Sequence, residues 1–159
     1  MTKLLVAVDG GELTDRITTY ALRIAKGTKL HFLCAVDPAG LMSASAALVY
    51  NIENDRADAV TLARSVVDAC VAKAKAAGIE ADGLVVEESP VEAILHTARQ
   101  IDAGLIIMAS HGRSGFARFV LGSVAEGVMR AADVGVLIVP SGLRADDPAR
   151  HLHQIFQGL

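Results

Sequence analysis

The chain has 159 residues, of which 52% are hydrophobic and 4% aromatic, with no tryptophan and a formal net charge of −3. This length is typical of one domain with a sizeable core. The charge and the shortage of aromatic side chains exclude a broad surface for nucleic acid. The apolar runs are far shorter than the ~20 residues that a membrane-spanning helix needs. The N-terminus lacks the pattern of a secretory signal, so we expect a cytoplasmic protein without a membrane or nucleic-acid partner.

Hydrophobic periodicity divides the chain into alternating strands and helices. The strand segments are mostly unbroken apolar runs, which are typical of strands covered on both faces. The helical segments carry apolar residues at three- and four-residue spacing. In chain order the predicted elements are a strand at 4–8, a helix at 13–25, a strand at 31–36, a helix at 55–77, a strand at 81–87, a helix from Ser89, a strand at 105–109, a helix at 123–132 and a strand at Gly135–Val139.

Two boundaries in this pattern differ in how clearly the sequence marks them. Ser89 is followed by Pro90 and, three positions after the serine, by Glu92. This combination is a strong signal for a helix N-terminus. By contrast, the serine- and alanine-rich segment at about 40–54 follows no clear period, and we leave it unassigned as a candidate mobile flap.

The alternation of strands and helices predicts an α/β fold. Right-handed crossovers between parallel strands give an open, doubly wound, parallel five-stranded sheet of the Rossmann-like type, with helices on both faces. We expect this domain to span 1–140. The remaining residues, 141–159, would form a C-terminal tail that is either a short helix or frayed.

The residues best suited to binding a ligand lie in a glycine-containing stretch after the fourth strand, SHGRSGFARFVLGSVAE at 110–126. In doubly wound sheets, ligands bind beyond the carboxyl ends of the strands, where Asp9 and this stretch would share a crevice. The helix that starts at Ser123 would point its free N–H groups and positive dipole end into that crevice. Glycines would let main-chain N–H groups approach phosphate oxygens, and basic side chains would add positive potential. These residues are Gly112, Gly115, Gly122, His111, Arg113 and Arg118. The pattern predicts a nucleotide triphosphate as ligand.

Each of these residues also has a purely structural interpretation. The run from Ser123 to Glu126 fits a capping box, in which the serine serves its own helix. Gly112 and Gly115 fit simple turn formers, and Asp9 fits an Asx-turn after a strand. At this level both interpretations stay open, and one residue can serve both.

Two segments resemble the universal stress protein family, and specifically its ATP-binding branch. They are VAVDGGE at 6–12 and MASHGRSGFARFVLGSVAEGVMRAADVGVLIVP at 108–140, and the similarity extends along the chain to Pro140. That branch has a glycine, two residues, a glycine, nine residues, and then a glycine with serine or threonine. Here Gly112 is separated by nine residues from Gly122 and Ser123, while Ala109 stands in place of the leading glycine.

The resemblance implies the sheet order 3-2-1-4-5 and an ATP site. Around adenine and ribose it implies Ala7, Val8, Asp9 and Val36. Along the ribose and phosphates it implies Met108, Ala109, His111 and Gly112, and at the phosphates Gly122, Ser123, Val124 and Ala125. Mg²⁺ or Mn²⁺ would be held through the phosphates, since no carboxylate cluster supplies a metal site.

The resemblance also implies a homodimer, for which the sheet gives an independent reason. In the usual strand order, Gly135–Val139 lies at an edge and leaves its N–H and C=O groups unpaired. Pairing with the same strand of a second copy would cover that edge.

These observations predict an ATP-binding regulatory module of the stress response that signals to an unknown protein partner. A slow ATPase or phosphotransferase that uses the same crevice is one alternative. A nucleotide-free dimeric scaffold is the other, and Ala109 is the residue that favours it. A serine hydrolase elbow would need glycine where Phe116 stands, and no Walker A lysine occurs. Cys34 and Cys70 are predicted to be buried free thiols.

Overall fold

The computed structural model describes residues 2–48, 52–111 and 121–140. Within these ranges five strands form one sheet, in which all four neighbouring pairs are parallel and the order is β3-β2-β1-β4-β5. The predicted α/β fold and strand order are therefore confirmed. The strands are β1 (Lys3–Ala7), β2 (Lys29–Ala35), β3 (Ala81–Val86), β4 (Ala103–Ala109) and β5 (Gly135–Val139).

Helices cover both faces of the sheet and divide the core into two layers. They are α1 (Thr14–Ile24), α2 (Pro38–Leu48), α3 (Ile52–Ala76), α4 (Pro90–Gln100) and α5 (Ser123–Ala131). One layer packs Val6 of β1 against α1 and α3, and the other packs Leu5 against α4 and α5. Both side chains are fully buried, as expected for a strand with apolar neighbours on each face.

The segment at 40–54 that the sequence left unassigned is helical wherever the structure describes it. It contains most of α2 and the start of α3. The Asp37 carboxylate accepts a hydrogen bond from the N–H of Ala39 at 3.0 Å, and Pro38 takes the first helical position. Asp37 and Pro38 therefore start a helix as well as closing β2, because an N-cap aspartate and an N1 proline both favour helix initiation.

The starts of α4 and α5 differ in how well they match the sequence patterns. Ser89 is the N-cap of α4 and Pro90 follows it, as predicted. The Ser89 hydroxyl donates a hydrogen bond to the Glu92 carboxylate at 3.0 Å and does not accept one from a backbone N–H of the helix. At α5 the N-cap is Gly122, and Ser123 is already the first helical residue. The capping-box interpretation with Ser123 as N-cap is therefore wrong.

Both cysteines are buried and free, as predicted. Cys70 accepts a hydrogen bond from the buried hydroxyl of Thr18 at 3.4 Å, which joins α3 to α1. Across the part of the chain that the structure describes, no helix combines the length and apolarity required to cross a membrane.

Candidate functional site

A cavity of about 420 Å³ opens at the carboxyl ends of β1 and β4. At this point the winding of the sheet reverses, because α1 leaves β1 on one face while α5 leaves β4 on the other. The crevice therefore forms where doubly wound sheets usually bind ligands.

The structure brings most of the residues implied at the sequence level to this cavity. Val36 is not in its lining, because its side chain is buried in the layer with α1 and α3. Gly112 lies outside the described residues, as do Arg113 and Arg118. The implied residues that line the cavity are Ala7, Val8, Asp9, Met108, Ala109, His111, Gly122, Ser123, Val124 and Ala125.

Asp9 is held in the cavity wall by the turn that follows β1. Its Oδ1 accepts hydrogen bonds from the N–H of Gly11 at 2.8 Å and from the hydroxyl of Thr14 at 3.4 Å. Gly10 has a φ of +75°, a conformation that favours glycine. The Asx-turn interpretation of Asp9 is thus confirmed, and the same turn fixes the carboxylate at the cavity.

The end of β4 is tied directly to the start of α5. The N–H of Gly122 donates to the carbonyl oxygen of Ser110 at 2.7 Å. A Cβ on Gly122 would lie 3.1 Å from the Cα of His111 and 3.2 Å from that same oxygen. Gly122 therefore permits close approach of two backbone segments. Its own N–H is hydrogen-bonded within the protein, while Gly122 still lines the cavity.

The first turn of α5 lines the cavity with backbone groups of a kind that suits an anion. The first N–H groups of a helix have no acceptor within it. Among the described residues, no backbone hydrogen bond outside the helix uses the N–H groups of Ser123, Val124 or Ala125. The Ser123 side chain is exposed. These groups and the helix dipole fit a phosphate.

Among the described residues near this turn, the polar side chains include those of Ser110 and His111. His111 Nδ1 lies 3.2 Å from the Ser110 hydroxyl oxygen. The described residues contain no group of three or more His, Cys, Asp or Glu side chains that could hold a metal ion.

An apolar wall of the cavity was missed at the sequence level. It comprises Leu33 and Ala35 of β2 together with Pro90 and Ile94 of α4. We refer to these four residues as the apolar wall. Alternation along β2 indicates that Leu33 and Ala35 share a face, but only the fold shows that α4 lies over that face.

Comparison with known proteins identifies the family. Residues 1–140 match the model of the Universal stress protein family. The chain belongs to this family. A relative within it is the universal stress protein YxiE of Bacillus subtilis (strain 168), which is 26% identical over 144 residues, covering 86% of this chain and 97% of YxiE.

Solved structures with the same fold include the hypothetical protein MJ0577, with a TM-score of 0.77 and 21% identity over 90% of this chain and 98% of that chain. At this identity the likeness concerns the fold alone. A universal stress protein in complex with cAMP has a TM-score of 0.62 and 26% identity, covering 89% of this chain and 98% of that chain.

Proposed function

We propose that this universal stress protein binds ATP in the crevice between β1 and β4 and acts as a nucleotide-dependent regulatory module of the stress response. One observation carries the proposal: three first-turn N–H groups of α5 border a cavity of about 420 Å³. A volume of this order is typical of small-molecule sites. The family member in complex with cAMP supports an adenine nucleotide as the ligand class.

In the proposed complex, the phosphates lie against the N-terminus of α5. The N–H groups of Ser123, Val124 and Ala125 donate to phosphate oxygens. The Asp9 carboxylate, held by Gly11, accepts a hydrogen bond from a ribose hydroxyl. Mg²⁺ or Mn²⁺ accompanies the phosphates and neutralises part of their charge.

The proposal includes a homodimer through β5. This strand pairs with β4 only, so its other edge has no strand neighbour in the described sheet. Val136, Leu137 and Ile138 are only partly buried. A second copy related by two-fold symmetry would cover this edge, because an exposed apolar edge strand readily pairs with another strand. In the proposed role the dimer acts in the cytoplasm.

Isothermal titration calorimetry with Mg-ATP tests the proposed function. We expect saturable binding of one ATP per chain, with no ADP release over several hours in a parallel assay. The absence of binding at millimolar ATP with Mg²⁺ would overturn the proposal. Steady ADP release would instead assign the crevice to a slow ATPase.

A further inference from the structure

Helices α4 and α5 lie over the same face of the sheet, and the N-terminal parts of both line the cavity. Pro90 and Ile94 come from α4, while Ser123, Val124 and Ala125 come from α5. Both helices bury residues in the same core layer. The shape of the cavity therefore depends on how far apart these two helices lie near their N-terminal ends.

The two helices are joined at two places, one beside the cavity and one away from it. Beside the cavity, Gly127 of α5 faces Val91 of α4, and a Cβ at Gly127 would lie 2.9 Å and 3.3 Å from the two Cγ atoms of Val91. Away from it, Arg99 Nε of α4 lies 2.8 Å from Oδ2 of Asp133, which follows α5. That ion pair is exposed, and exposed ion pairs contribute little. The contact of Val91 with Gly127 therefore fixes the separation of the helices near the cavity.

Gly127 lies in the middle of α5, as the fifth of the nine residues of Ser123–Ala131. Glycine is unfavourable in the interior of a helix, because it loses more backbone freedom on folding than other residues do. Here the missing side chain leaves the space that Val91 occupies. A valine in a helix strongly prefers one χ1 rotamer, so Val91 cannot simply turn aside. A side chain at position 127 would therefore push the two helices apart.

The core holds the two helices unequally. Four residues of α4 are buried, whereas α5 buries two, Ala125 and Val128. Crowding at Gly127 should therefore move α5 rather than α4. Because Ala125 belongs to the first turn of α5 and lines the cavity, such a movement would displace this turn relative to β1.

From this contact we propose that Gly127 is a positioning residue for the nucleotide. By admitting Val91, it sets the first turn of α5 at the distance from β1 at which the N–H groups of the turn reach the phosphates. The inference rests on the proposed function, in which the ribose lies at Asp9 and the phosphates lie at this turn. A ligand that spans both places is sensitive to the distance between them. Gly127 itself does not line the cavity, so it acts on the ligand only through the position of α5.

The substitution G127A tests this role with the smallest side chain. Alanine favours a helix more than glycine does, so α5 should still form, and thermal unfolding checks that the variant is folded. We expect Mg-ATP to bind about tenfold more weakly in isothermal titration calorimetry, because small displacements of a site's groups carry costs of this order.

The double variant G127A/V91A separates the contact from the other effects of alanine. It removes the two Cγ methyl groups that the new Cβ would meet, so the helices can return to their wild-type separation. ATP affinity should recover to within about threefold of wild type, since exchanges that conserve volume are tolerated best. A loss caused by altered helix propensity or by general destabilisation would not recover, because V91A removes further packing. The matched control is R99Q, which breaks the joint away from the cavity and should leave ATP affinity unchanged.

The possible results separate the two proposals. Weaker binding by G127A that V91A restores supports the positioning role. If G127A binds ATP as tightly as wild type, or if V91A does not restore the affinity, this inference is overturned while ATP binding by the wild-type chain stands. If R99Q weakens ATP binding as much as G127A does, the contact at Gly127 has no special role and the inference is likewise rejected. If the wild-type chain binds no ATP, the proposed function itself fails.

Discussion

At the scale of single residues, Gly122 shows how a motif residue can serve the fold rather than the ligand. Glycine motifs near phosphates suggest direct N–H contact, and that was the expectation here. The structure instead uses the N–H of Gly122 to close the turn onto Ser110. The neighbouring residues of α5, Ser123, Val124 and Ala125, line the cavity. The glycine therefore brings the start of α5 close to the end of β4, at the cavity that both line.

Replacing Gly122 with alanine should destabilise the protein. The new Cβ would sit 3.1 Å from the backbone of His111, so the turn must shift. We expect a loss of about 1 kcal/mol in the free energy of unfolding, measured by urea denaturation. The control S123A changes an exposed side chain next to it and should stay within about 0.5 kcal/mol of wild type. If G122A is as stable as the wild type, the backbone at Gly122 does not lie as close to Ser110 and His111 as the structure shows.

His31 predicts a pH dependence of stability. It is 8% exposed in β2, and its Nε2 has no hydrogen-bond partner among the described residues. Burial lowers the pKa of His31 below its ordinary value of 6.5, and the charges of Lys29 and Lys3 lower it further. The Asp82 carboxylate, 3.9 Å from Nδ1, opposes this shift of the pKa only in part.

Because its pKa is lower in the folded state, His31 binds a proton more readily when the chain is unfolded. The free energy of unfolding should therefore fall as the pH drops below about 6.5, by at most about 1.4 kcal/mol per pH unit for one proton. Urea denaturation between pH 7.5 and 5.5 measures this slope. The variant H31L lacks the titrating group and should have a shallower slope. An identical slope would show that His31 does not contribute.

At the scale of secondary-structure elements, the unpaired edge of β5 predicts a homodimer. Leu137 is the central residue of Gly135–Val139, so two-fold pairing of β5 would bring the two copies of this side chain near each other. The variant L137E would place like charges at the edge and should convert the dimer to a monomer. Sedimentation velocity at several concentrations measures the change. L62E, at a 54% exposed position of α3, is the control and should remain dimeric. A wild-type monomer, or a dimer that survives L137E, would contradict the pairing.

The elements also show what the sequence could and could not predict. The alternation of strands and helices was predicted correctly because most strands are unbroken apolar runs separated by helical segments, whereas the sheet order was implied by the family resemblance. The helix α2 was missed because its composition, PAGLMSASAAL, has no polar face to reveal a helical period. Asp37 and Pro38 carry a helix start signal, an aspartate followed by a proline, but the helical segment that follows lacks a polar face.

The sequence could likewise predict one part of the candidate site and not another. The residues after β1 and β4 could be placed from motif spacing, because the ends of neighbouring parallel strands meet at one edge. The apolar wall could not, because it depends on α4 packing over β2, a contact between elements far apart in the chain. Val36, which the resemblance implies for the site, has its side chain buried in the layer with α1 and α3, and its role at the site stays a prediction.

At the scale of the whole molecule, a ligand that binds only the folded chain raises its stability. In the proposed complex, the main-chain N–H groups at the start of α5 hold the phosphates of ATP. Proline at position 123 removes one of these groups and fits the first position of a helix. Gly122 already has the extended conformation that precedes proline, with φ −65° and ψ 153°. S123A keeps the N–H and removes only the hydroxyl.

The most direct test is therefore thermal unfolding of the wild-type chain, S123P and S123A, each with and without Mg-ATP. We predict that ATP at a hundredfold excess over its Kd stabilises the wild-type chain by about 2.7 kcal/mol. S123A should keep most of this stabilisation, whereas S123P should lose most of it while unfolding at a similar temperature without ATP. Equal stabilisation of S123P and wild type by ATP would contradict the account.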